Sequence, residues 1–492
     1  MAADAVRIRN IAARLDRLPS SRYLWGLVAL LSLGAFFEIY DLMMTAYVSP
    51  LIIEAGVFSE GRQGALGLSD QAAFASTTFA GLFVGTMAFG FVADRFGRRA
   101  IFTYALLWYA AATAMMALQH AASGVFLWRF VAGLGLGVEM ITIDAFIAEL
   151  VSKQIRGRAF AFNQGVMFCA VPVVAFLSWS LASRAPLDIA AWRWVVSFPV
   201  IGAVVVWWIR RRLPESPRWL AQHGRCDEAE AAVGRMEARI EKELGKPLPM
   251  VASTIAETEP GTRPASFRNL FTPPNRRRLI ALAVFNFFQT IGFYGFGNWV
   301  PKLVADQGVT IADSLQYSFV IALAFPAGPF LFTLFADRFE RKWQIVAAAA
   351  GTATFGLLFT RQTQSLAIIM LGIAITMSNN LLSYSYHAYQ AEVFPTNVRA
   401  RAVGFVYSFS RLSTIFTSFV IAYLSLRFGN TGVFSFIAGS MVIAAGSIAL
   451  FGPHTCGRTL EEICEEPRPR GQFAGVPAEA VPSARTATSN RL

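Results

Sequence analysis

The sequence predicts an all-α membrane protein with twelve transmembrane helices arranged as two six-helix bundles. Three observations indicate this fold class: an apolar composition, twelve hydrophobic runs of spanning length, and an internal repeat. Of the 492 residues, 55% are hydrophobic and only 15% are charged, whereas soluble domains are about 25% charged. A mean hydropathy of +0.48 excludes a disordered chain, a collagen-like fibre and a secreted disulfide scaffold.

The hydrophobic runs are close to the ~20 residues that a helix needs to cross the hydrocarbon core of a bilayer. They cover about 25–49, 72–93, 100–119, 123–149, 158–183, 191–212, 278–304, 314–336, 343–360, 366–391, 402–426 and 431–452. The first run contains Glu38 and Asp41, and no small-residue cleavage site follows it. It is therefore predicted to be a retained span and not a signal peptide.

The basic residues predict the orientation of the chain. Of the 43 Lys and Arg residues, 35 fall in segments on one side of the predicted spans, 6 on the other side and 2 inside spans. Because positively charged loops stay in the cytoplasm, we expect a multi-pass protein of the cell (inner) membrane with both termini cytoplasmic. The net charge of +12 is spread over many short loops, which argues against a nucleic-acid partner.

These spans divide the chain into five predicted regions. They are a cytoplasmic N-terminal segment (1–24), an N-terminal six-helix bundle (25–212), a cytoplasmic linker with short helices (213–277), a C-terminal six-helix bundle (278–452) and a partly disordered cytoplasmic tail (453–492). Charged helix formers predict the helices of the linker, and a composition rich in Pro, Ala, Ser and Thr predicts the disorder of the tail.

An internal repeat relates the two bundles. The segment 94–99, which follows the second span, recurs at 337–342, and Glu149 recurs as Glu392, both at an offset of 243 residues. Such parallel repeats predict a substrate site near the bilayer midplane, at the interface between the halves.

Acidic and basic residues of the repeated loops are predicted to form an inner-gate network. Its members are Asp94, Arg95, Arg98, Glu149 and Arg156 in the first half and Asp337, Arg338, Glu392 and Arg399 in the second. Exposed ion pairs contribute only ~0–1 kcal/mol each, so the network would act collectively. The alternative is that these charges only fix the topology.

The loop motifs DRFGRR, ELVSKQIRG, PESPRWL, DRFERK, EVFPTNVR and GRTLEE resemble those of the major facilitator superfamily, in its sugar-porter and organic-ion-transporter branch. This resemblance covers nearly the whole chain and implies the major facilitator fold and transport by alternating access. Two departures occur: Glu340 replaces the usual glycine of the second-half loop, and PHTCGR replaces the usual PET-x-GR. The stretches FFEIYDLMM and FFQTIGFYGFGNW, together with Arg411, resemble bacterial niacin transporters, which implies nicotinate or a close aromatic acid as substrate.

Ionisable residues inside spans are costly in lipid and normally face a cavity or a partner. The resemblance makes Asp41 similar to the first-span acid of proton-coupled porters, and Glu38 lies three residues before it on the same helical face. Asp41, Glu38 and Asp144 are therefore the candidates for proton coupling. For Asp41 and Asp144 the alternative is a basic partner. The resemblance makes Arg129 a structural or a proton-handling residue, of which the structural role is preferred.

Arg411 is the strongest candidate for substrate binding. It lies about nine residues into the eleventh span, and its guanidinium fork matches a carboxylate. The resemblance to organic anion transporters implies that an arginine here binds the anionic substrate. A salt bridge to Asp41, Glu139 or Asp144 is the alternative.

Polar and aromatic residues of spans 7 and 10 complete the predicted site, because their polar groups need partners away from lipid. They are Gln289, Tyr294, Asn298, Trp299, Asn380, Tyr384, Tyr386 and His387. A pocket of rings and amides with one arginine suits a small flat carboxylate. The sequence has no nucleophile–base set and no metal-ligand spacing, so no enzyme activity, cofactor or metal is predicted.

The predicted function is a secondary active or facilitative transporter that imports a small organic anion, with nicotinate preferred. A proton-coupled aromatic-acid or sugar symporter is the alternative. A membrane sensor is less favoured, because the cytoplasmic segments are short. The predicted partners are an aromatic carboxylate, protons and the lipid bilayer, and the chain is expected to be monomeric.

Overall fold

The computed structural model describes residues 2–59, 69–182, 184, 186–250, 271, 275–333, 339–394 and 399–455, and helices dominate this part of the chain. The first half contains α1 (Ala2–Asp16), α2 (Arg22–Glu54), α3 (Asp70–Phe96), α4 (Arg98–Ala117), α5 (Ala122–Leu150), α6 (Lys153–Phe168), α7 (Ala170–Ala182) and α8 (Ala191–Arg212). The linker contains α9 (Pro217–Gln222) and α10 (Cys226–Leu244). The second half contains α11 (Asn275–Gly297), α12 (Val300–Ala305), α13 (Ile311–Ala322), α14 (Ala324–Thr333), α15 (Arg341–Phe359), α16 (Ser365–Val393) and α17 (Arg399–Phe451).

The twelve predicted spans all fall on helices, which confirms the predicted fold class: seven coincide with one helix each, three with a broken pair of helices, and the last two share one helix. Spans 5, 7 and 8 are the pairs α6–α7, α11–α12 and α13–α14. Spans 11 and 12 are both contained in α17, whose backbone turns at Gly429 (φ 59°, ψ −159°). Eight helical stretches of the described chain are long and apolar enough to cross a membrane, and the last of them, Ala402–Phe451, includes both final spans.

Helices α3 and α5 approach each other backbone to backbone, which positions Arg129 of α5. A Cβ on Gly81 would lie 2.3 Å from the carbonyl oxygen of Phe130, and one on Gly137 would lie 2.3 Å from that of Leu82. Small residues allow such close helix packing inside a membrane. The contact places Arg129 in the interior of the first half, where it is fully buried.

Helix α1 packs on the linker helix α10 at one end of the bundles, which we call the linker face. Both Arg14 and Arg17 donate to the Glu237 carboxylate, and the Arg17 Nη2 to Glu237 Oε1 distance is 2.6 Å. Ile11 and Leu15 are buried in the same core cluster as the apolar face of α10. Charged and apolar contacts together therefore hold α1 on the linker.

The charge of Glu237 makes this contact pH-dependent. Burial by itself raises the pKa of the carboxyl, but the hydrogen bonds from Arg14 and Arg17 outweigh burial and hold the pKa below its ordinary value. A carboxylate with a depressed pKa stabilises the docked state above its unfolded pKa of about 4.3. This stabilisation is lost as the pH falls through the lower, folded value.

Replacing Glu237 with glutamine is expected to release α1 at neutral pH, because two guanidinium groups lose their shared anion. Hydrogen exchange of residues 2–16 should accelerate in E237Q, and the protection of these amides, corrected for the intrinsic exchange rate at each pH, should no longer depend on pH between about 3 and 5. E228Q is the matched control, since Glu228 lies on the same helix and pairs only locally with Arg225. Unchanged protection of α1 in E237Q would contradict this account.

Candidate functional site

A cavity of about 120 Å³ lies between the two halves at mid-depth, with walls from α2, α5, α6, α11, α16 and α17. A protein cavity of about 150 Å³ holds one benzene molecule, so this volume suits a single ring. The polar lining is mixed, with carboxyl, amide, hydroxyl and imidazole groups. Such a convergence of polar groups in one enclosed space is typical of a small-molecule site.

Arg411 of α17 lies directly beside this cavity and is 5% exposed. Its Nη1 donates to the Tyr294 hydroxyl (3.3 Å) and its Nη2 to the Tyr407 hydroxyl (3.0 Å). The guanidinium carbon lies 4.9 Å from the centre of the Tyr407 ring. Because both tyrosines line the cavity, they fix the guanidinium at its wall.

Aromatic groups of α16 form the neighbouring wall. The rings of Tyr386 and His387 are 4.1 Å apart, and the Tyr386 hydroxyl lies 3.2 Å from Nε2 of His387. Nδ1 of His387 lies 2.7 Å from the Ser383 carbonyl oxygen. A carbonyl oxygen only accepts, so Nδ1 carries a proton, and the Tyr386 hydroxyl is the neighbour of Nε2.

Two carboxyl groups of the first half face the cavity. Glu38 of α2 is 3% exposed, and Asp144 of α5 is open to the cavity. Neither makes a hydrogen bond or an ion pair with another described residue. The charges of Asp144 and Arg411 both act on Glu38, so groups of opposite sign meet across the site.

A second buried acid lies behind this wall. Glu139 of α5 is fully buried, and neither of its carboxyl oxygens has a hydrogen-bond partner among the described residues. The charges of Glu38 and Asp41 act on it. Sequence reasoning named Glu139 only as a possible partner of Arg411, although a glutamate inside an apolar span is itself a signal of a functional acid.

Asp41 and Arg129 form a separate, fully buried ion pair. Arg129 Nη1 donates to Asp41 Oδ2 at 2.7 Å, and Nη2 donates to the Asp41 carbonyl at 2.6 Å. The remaining donors bond Thr45 and Thr78, while Thr113 donates to the other Asp41 carboxyl oxygen at 3.2 Å. Both side chains are 0% exposed. The basic partner of Asp41 is therefore Arg129 and not Arg411.

Contacts between the halves close the pathway on the side away from the linker face. The Ser76 hydroxyl donates to the Ile415 carbonyl (3.0 Å), and the Phe79 ring packs on Tyr294 at 4.8 Å. The rings of Trp179 and Phe319 stack at 5.7 Å. These contacts separate the central cavity from a second cavity of about 340 Å³, which is farther from the linker face. It is lined by α12, the end of α2 and the part of α17 that precedes its turn at Gly429.

The structure brings together most of the predicted site residues. Those that line the cavity are Glu38, Asp144, Gln289, Tyr294, Tyr386 and His387, with Arg411 beside them. Sequence reasoning missed Tyr407, which lies four residues before Arg411 on the same helix. That spacing places two side chains on one helical face and could have indicated the pair.

Besides Arg411, four residues predicted to bind the substrate are not among those that line the cavity. Helix α11 ends at Gly297, so Asn298 is buried beyond it and Trp299 lines the second cavity. The Asn380 amide donates to the Phe325 carbonyl at 3.1 Å, because Pro329 has no N–H to satisfy that carbonyl. Tyr384 directly follows the cavity-lining residue 383 on α16. Successive residues of a helix are rotated by about 100°, so its side chain leaves the helix in a different direction.

In the described part of the predicted inner-gate network, Glu149 and Glu392 each contact an arginine, and Arg341, the partner of Glu392, is not a predicted member. Arg98 Nη2 lies 3.2 Å from Glu149 Oε1, and Arg341 contacts Glu392. Arg156 lies 4.0 Å from Asp16 of the N-terminal segment. Asp337 and Arg338 lie outside the described residues, as do the side chains of Asp94 and Arg399, while Arg95 is exposed.

A carboxylate also links two loops of the linker face in the first half. The Glu215 carboxylate accepts from the backbone N–H of Arg99 at 3.1 Å. It fits because Gly97 has φ +97° and no side chain, and a Cβ there would lie 2.6 Å from Glu215 Oε2. Only glycine adopts this backbone conformation without strain.

The second half reverses this arrangement. In the repeat, Gly97 corresponds to Glu340 and Glu215 to His454. Glu340 Oε1 accepts from the Thr455 N–H at 3.0 Å, and its Oε2 lies 3.8 Å from His454 Nδ1. The same two loops are therefore linked by a carboxylate from the opposite partner, which explains both departures from the family motifs together.

Replacing Gly97 with alanine is expected to destabilise the protein by about 1–3 kcal/mol, because alanine is strained at this φ and its Cβ displaces Glu215. Thermal unfolding of the detergent-purified protein measures the loss. Gly404→Ala is the matched control, since its Cβ meets no atom within 4 Å and alanine favours the helix. Equal stability of the two variants would contradict the proposed fit.

Comparison with known proteins is consistent with this geometry. The family model described as "Sugar (and other) transporter" matches residues 27–466. YyaJ of Bacillus subtilis is 31% identical over 91% of this chain and 96% of its own length. The niacin transporter NiaP of Acinetobacter baylyi is 26% identical over 92% of this chain and 99% of its own.

Solved structures show the same fold. The Escherichia coli xylose transporter XylE, in a partially occluded inward-open conformation, superimposes with a TM-score of 0.71 and 19% identity. The match covers 89% of this chain and all of the xylose transporter. At this identity the likeness concerns the fold, and the chemistry of the site has to be argued from its own residues.

Proposed function

The chain belongs to the sugar (and other) transporter family of the major facilitator superfamily, and we propose that it imports a small aromatic carboxylate, with nicotinate as the preferred substrate. Members of this family are membrane transporters that work by alternating access. Its substrate, its direction of transport and its coupling to protons are what we propose. Predicted cytoplasmic termini place the linker face inside the cell, so the central cavity would release its ligand inward.

One observation carries the substrate class: a buried guanidinium held at the wall of a ring-sized cavity. The hydroxyls of Tyr294 and Tyr407 orient Arg411, so its fork is preorganised for a carboxylate. The rings of Tyr386 and His387 supply flat faces on which an aromatic ring packs. The similarity to a niacin transporter supports nicotinate within this class.

We further propose that protons drive uptake. Glu38 and Asp144 are the candidate acids that a proton reaches from the cavity. Asp41 is the third candidate, although its carboxylate is already engaged by Arg129. We also propose that the protein acts as a monomer in the inner membrane.

A proton-coupled sugar symporter is the second candidate, and the amide groups of the cavity favour it. Asn163, Gln164 and Gln289 line the walls, and amides bind sugar hydroxyls through both donor and acceptor atoms. A sugar, however, makes no use of the oriented guanidinium. We therefore rank this candidate below the aromatic carboxylate.

Uptake of labelled nicotinate into vesicles that contain the purified protein tests the proposal. We expect saturable uptake that unlabelled nicotinate inhibits, whereas nicotinamide and xylose do not, because neither offers a carboxylate to Arg411. Collapsing the proton gradient should abolish accumulation above the external concentration. Inhibition by xylose would favour the sugar candidate, and equal inhibition by nicotinamide would exclude the carboxylate clamp.

A further inference from the structure

Two carboxyl groups of the first half line the central cavity, and an arginine of the second half lies directly beside it. The second half contributes Arg411, which Tyr294 and Tyr407 hold in place. The first half contributes the carboxyl groups of Glu38 and Asp144. A ligand in this cavity therefore meets a positive wall and a negative wall at the same time.

The carboxyl groups of Glu38 and Asp144, which we call the negative wall, pair with no described basic residue of the first half. Glu38 is only 3% exposed and lines the cavity. Its side chain has neither a hydrogen bond nor an ion pair within the described chain. An ionised carboxylate in such surroundings is costly unless it is paired or protonated. The counter-charge therefore has to come with the ligand, either as a cationic group or as a proton.

A ligand that carries only a carboxylate pairs with the guanidinium of Arg411 but leaves the carboxyl groups of Glu38 and Asp144 without a counter-charge. The positive charge of Arg411 and the negative charge of Asp144 both act on Glu38. An anion that binds Arg411 cancels its favourable effect on Glu38, so the repulsion between Glu38 and Asp144 remains. A ligand with an additional positive nitrogen removes this repulsion.

We propose that the cavity selects zwitterionic ring compounds, with the carboxylate at Arg411 and a protonated or N-alkylated ring nitrogen at Glu38 and Asp144. This inference rests on the proposed function and narrows its substrate class. Nicotinate anion gains one proton on its ring nitrogen and binds as a neutral zwitterion, so one proton enters with each nicotinate. N-methylnicotinate already carries the positive charge and needs no proton.

Other titratable groups near the negative wall are consistent with this assignment. Glu139, five residues before Asp144 on α5, is a further buried acid on which the charge of Glu38 acts. His387 on α16 points Nδ1 at a carbonyl oxygen and Nε2 at Tyr386, so its two nitrogens are engaged. The negative wall thus belongs to α2 and α5.

Three ring carboxylates of similar shape test the inference: benzoate, nicotinate and N-methylnicotinate. Titration calorimetry of the full-length purified protein should show N-methylnicotinate binding about tenfold more tightly than benzoate, which is the effect of one charge-assisted contact. In vesicles with an internal pH dye, nicotinate uptake should acidify the lumen, whereas N-methylnicotinate uptake should not.

The variants E38Q and D144N should each lower the preference for N-methylnicotinate over benzoate about tenfold. E54Q is the matched control, because Glu54 is an exposed acid on the same helix as Glu38 and should leave the preference unchanged. Thermal unfolding verifies that each variant is folded. Two isosteric variants on different helices keep the test valid if one of them fails to fold.

The outcomes separate this inference from the proposed function. Equal affinity for benzoate and N-methylnicotinate, or an unchanged preference in both E38Q and D144N, would overturn the inference and leave the carboxylate transporter intact. An equal loss of affinity for all three ligands in E38Q and D144N would also overturn it. If none of the three ring acids binds the wild-type protein, the proposed function itself fails.

Discussion

Replacing Arg411 with alanine is expected to lower nicotinate uptake about a hundredfold or more. A hydrogen bond to a charged group contributes about 1.5–3 kcal/mol, and a bidentate contact contributes two of them. The loss should appear mainly as weaker binding, since the guanidinium holds the substrate and takes no part in a chemical step. Uptake of labelled nicotinate at varied concentration, together with direct titration of the purified variant, measures both.

Graded variants show whether the geometry or the charge of Arg411 matters. R411K keeps the charge but not the planar fork, so it should recover only part of the affinity. Y407F removes one hydroxyl that orients the guanidinium and should have a smaller effect than either. R427A is the control, because Arg427 is an exposed arginine of the same helix. Unchanged nicotinate affinity in R411A would exclude the carboxylate clamp.

Replacing Asp41 with asparagine is expected to destabilise the protein by about 3–5 kcal/mol, because the variant leaves the buried charge of Arg129 without its counter-charge. The pair is 0% exposed at both side chains. Asparagine keeps the size of the side chain, so packing is nearly unchanged. Thermal unfolding of the purified protein, followed together with its yield, measures the loss.

A double substitution separates charge from packing at this pair. D41L combined with R129M removes both charges, and replacement of a buried ion pair by apolar residues of similar volume is often neutral. The double variant should therefore be more stable than either single variant. If D41N instead unfolds at the wild-type temperature but loses accumulation driven by the proton gradient, Asp41 is a coupling residue and its structural role is minor.

The positions of the spans follow from hydropathy, but their exact ends depend on distant residues. The first predicted span starts near residue 25, whereas α2 begins at Arg22. The helix begins there because the Ser21 side chain caps it by accepting from the Leu24 N–H, and the distant Glu243 carboxylate accepts from the N–H groups of Arg22 and Tyr23. A contact across 220 residues leaves no trace in the local hydrophobic pattern.

The site could be predicted from charged residues, because these are costly inside a span. It was harder to predict which polar side chains hydrogen-bond a backbone carbonyl that has lost its helical donor. An arginine or a glutamate inside a span is a strong signal, and Arg411 and Glu38 do lie at the cavity. Tyr40 shows the opposite case: its hydroxyl donates to the Val195 carbonyl at 2.9 Å. Pro199 leaves that carbonyl without a helical donor, a need that only the folded arrangement reveals.

The docking of α1 on α10 also sets an order of events during synthesis. Arg14 and Glu237 are separated by 223 residues, and a ribosome adds about 5–20 residues per second. The first helix therefore waits roughly 10–45 s for its partner, while six hydrophobic segments enter the bilayer. Helix α1 therefore leaves the ribosome well before α10 and can dock only once α10 has been synthesised.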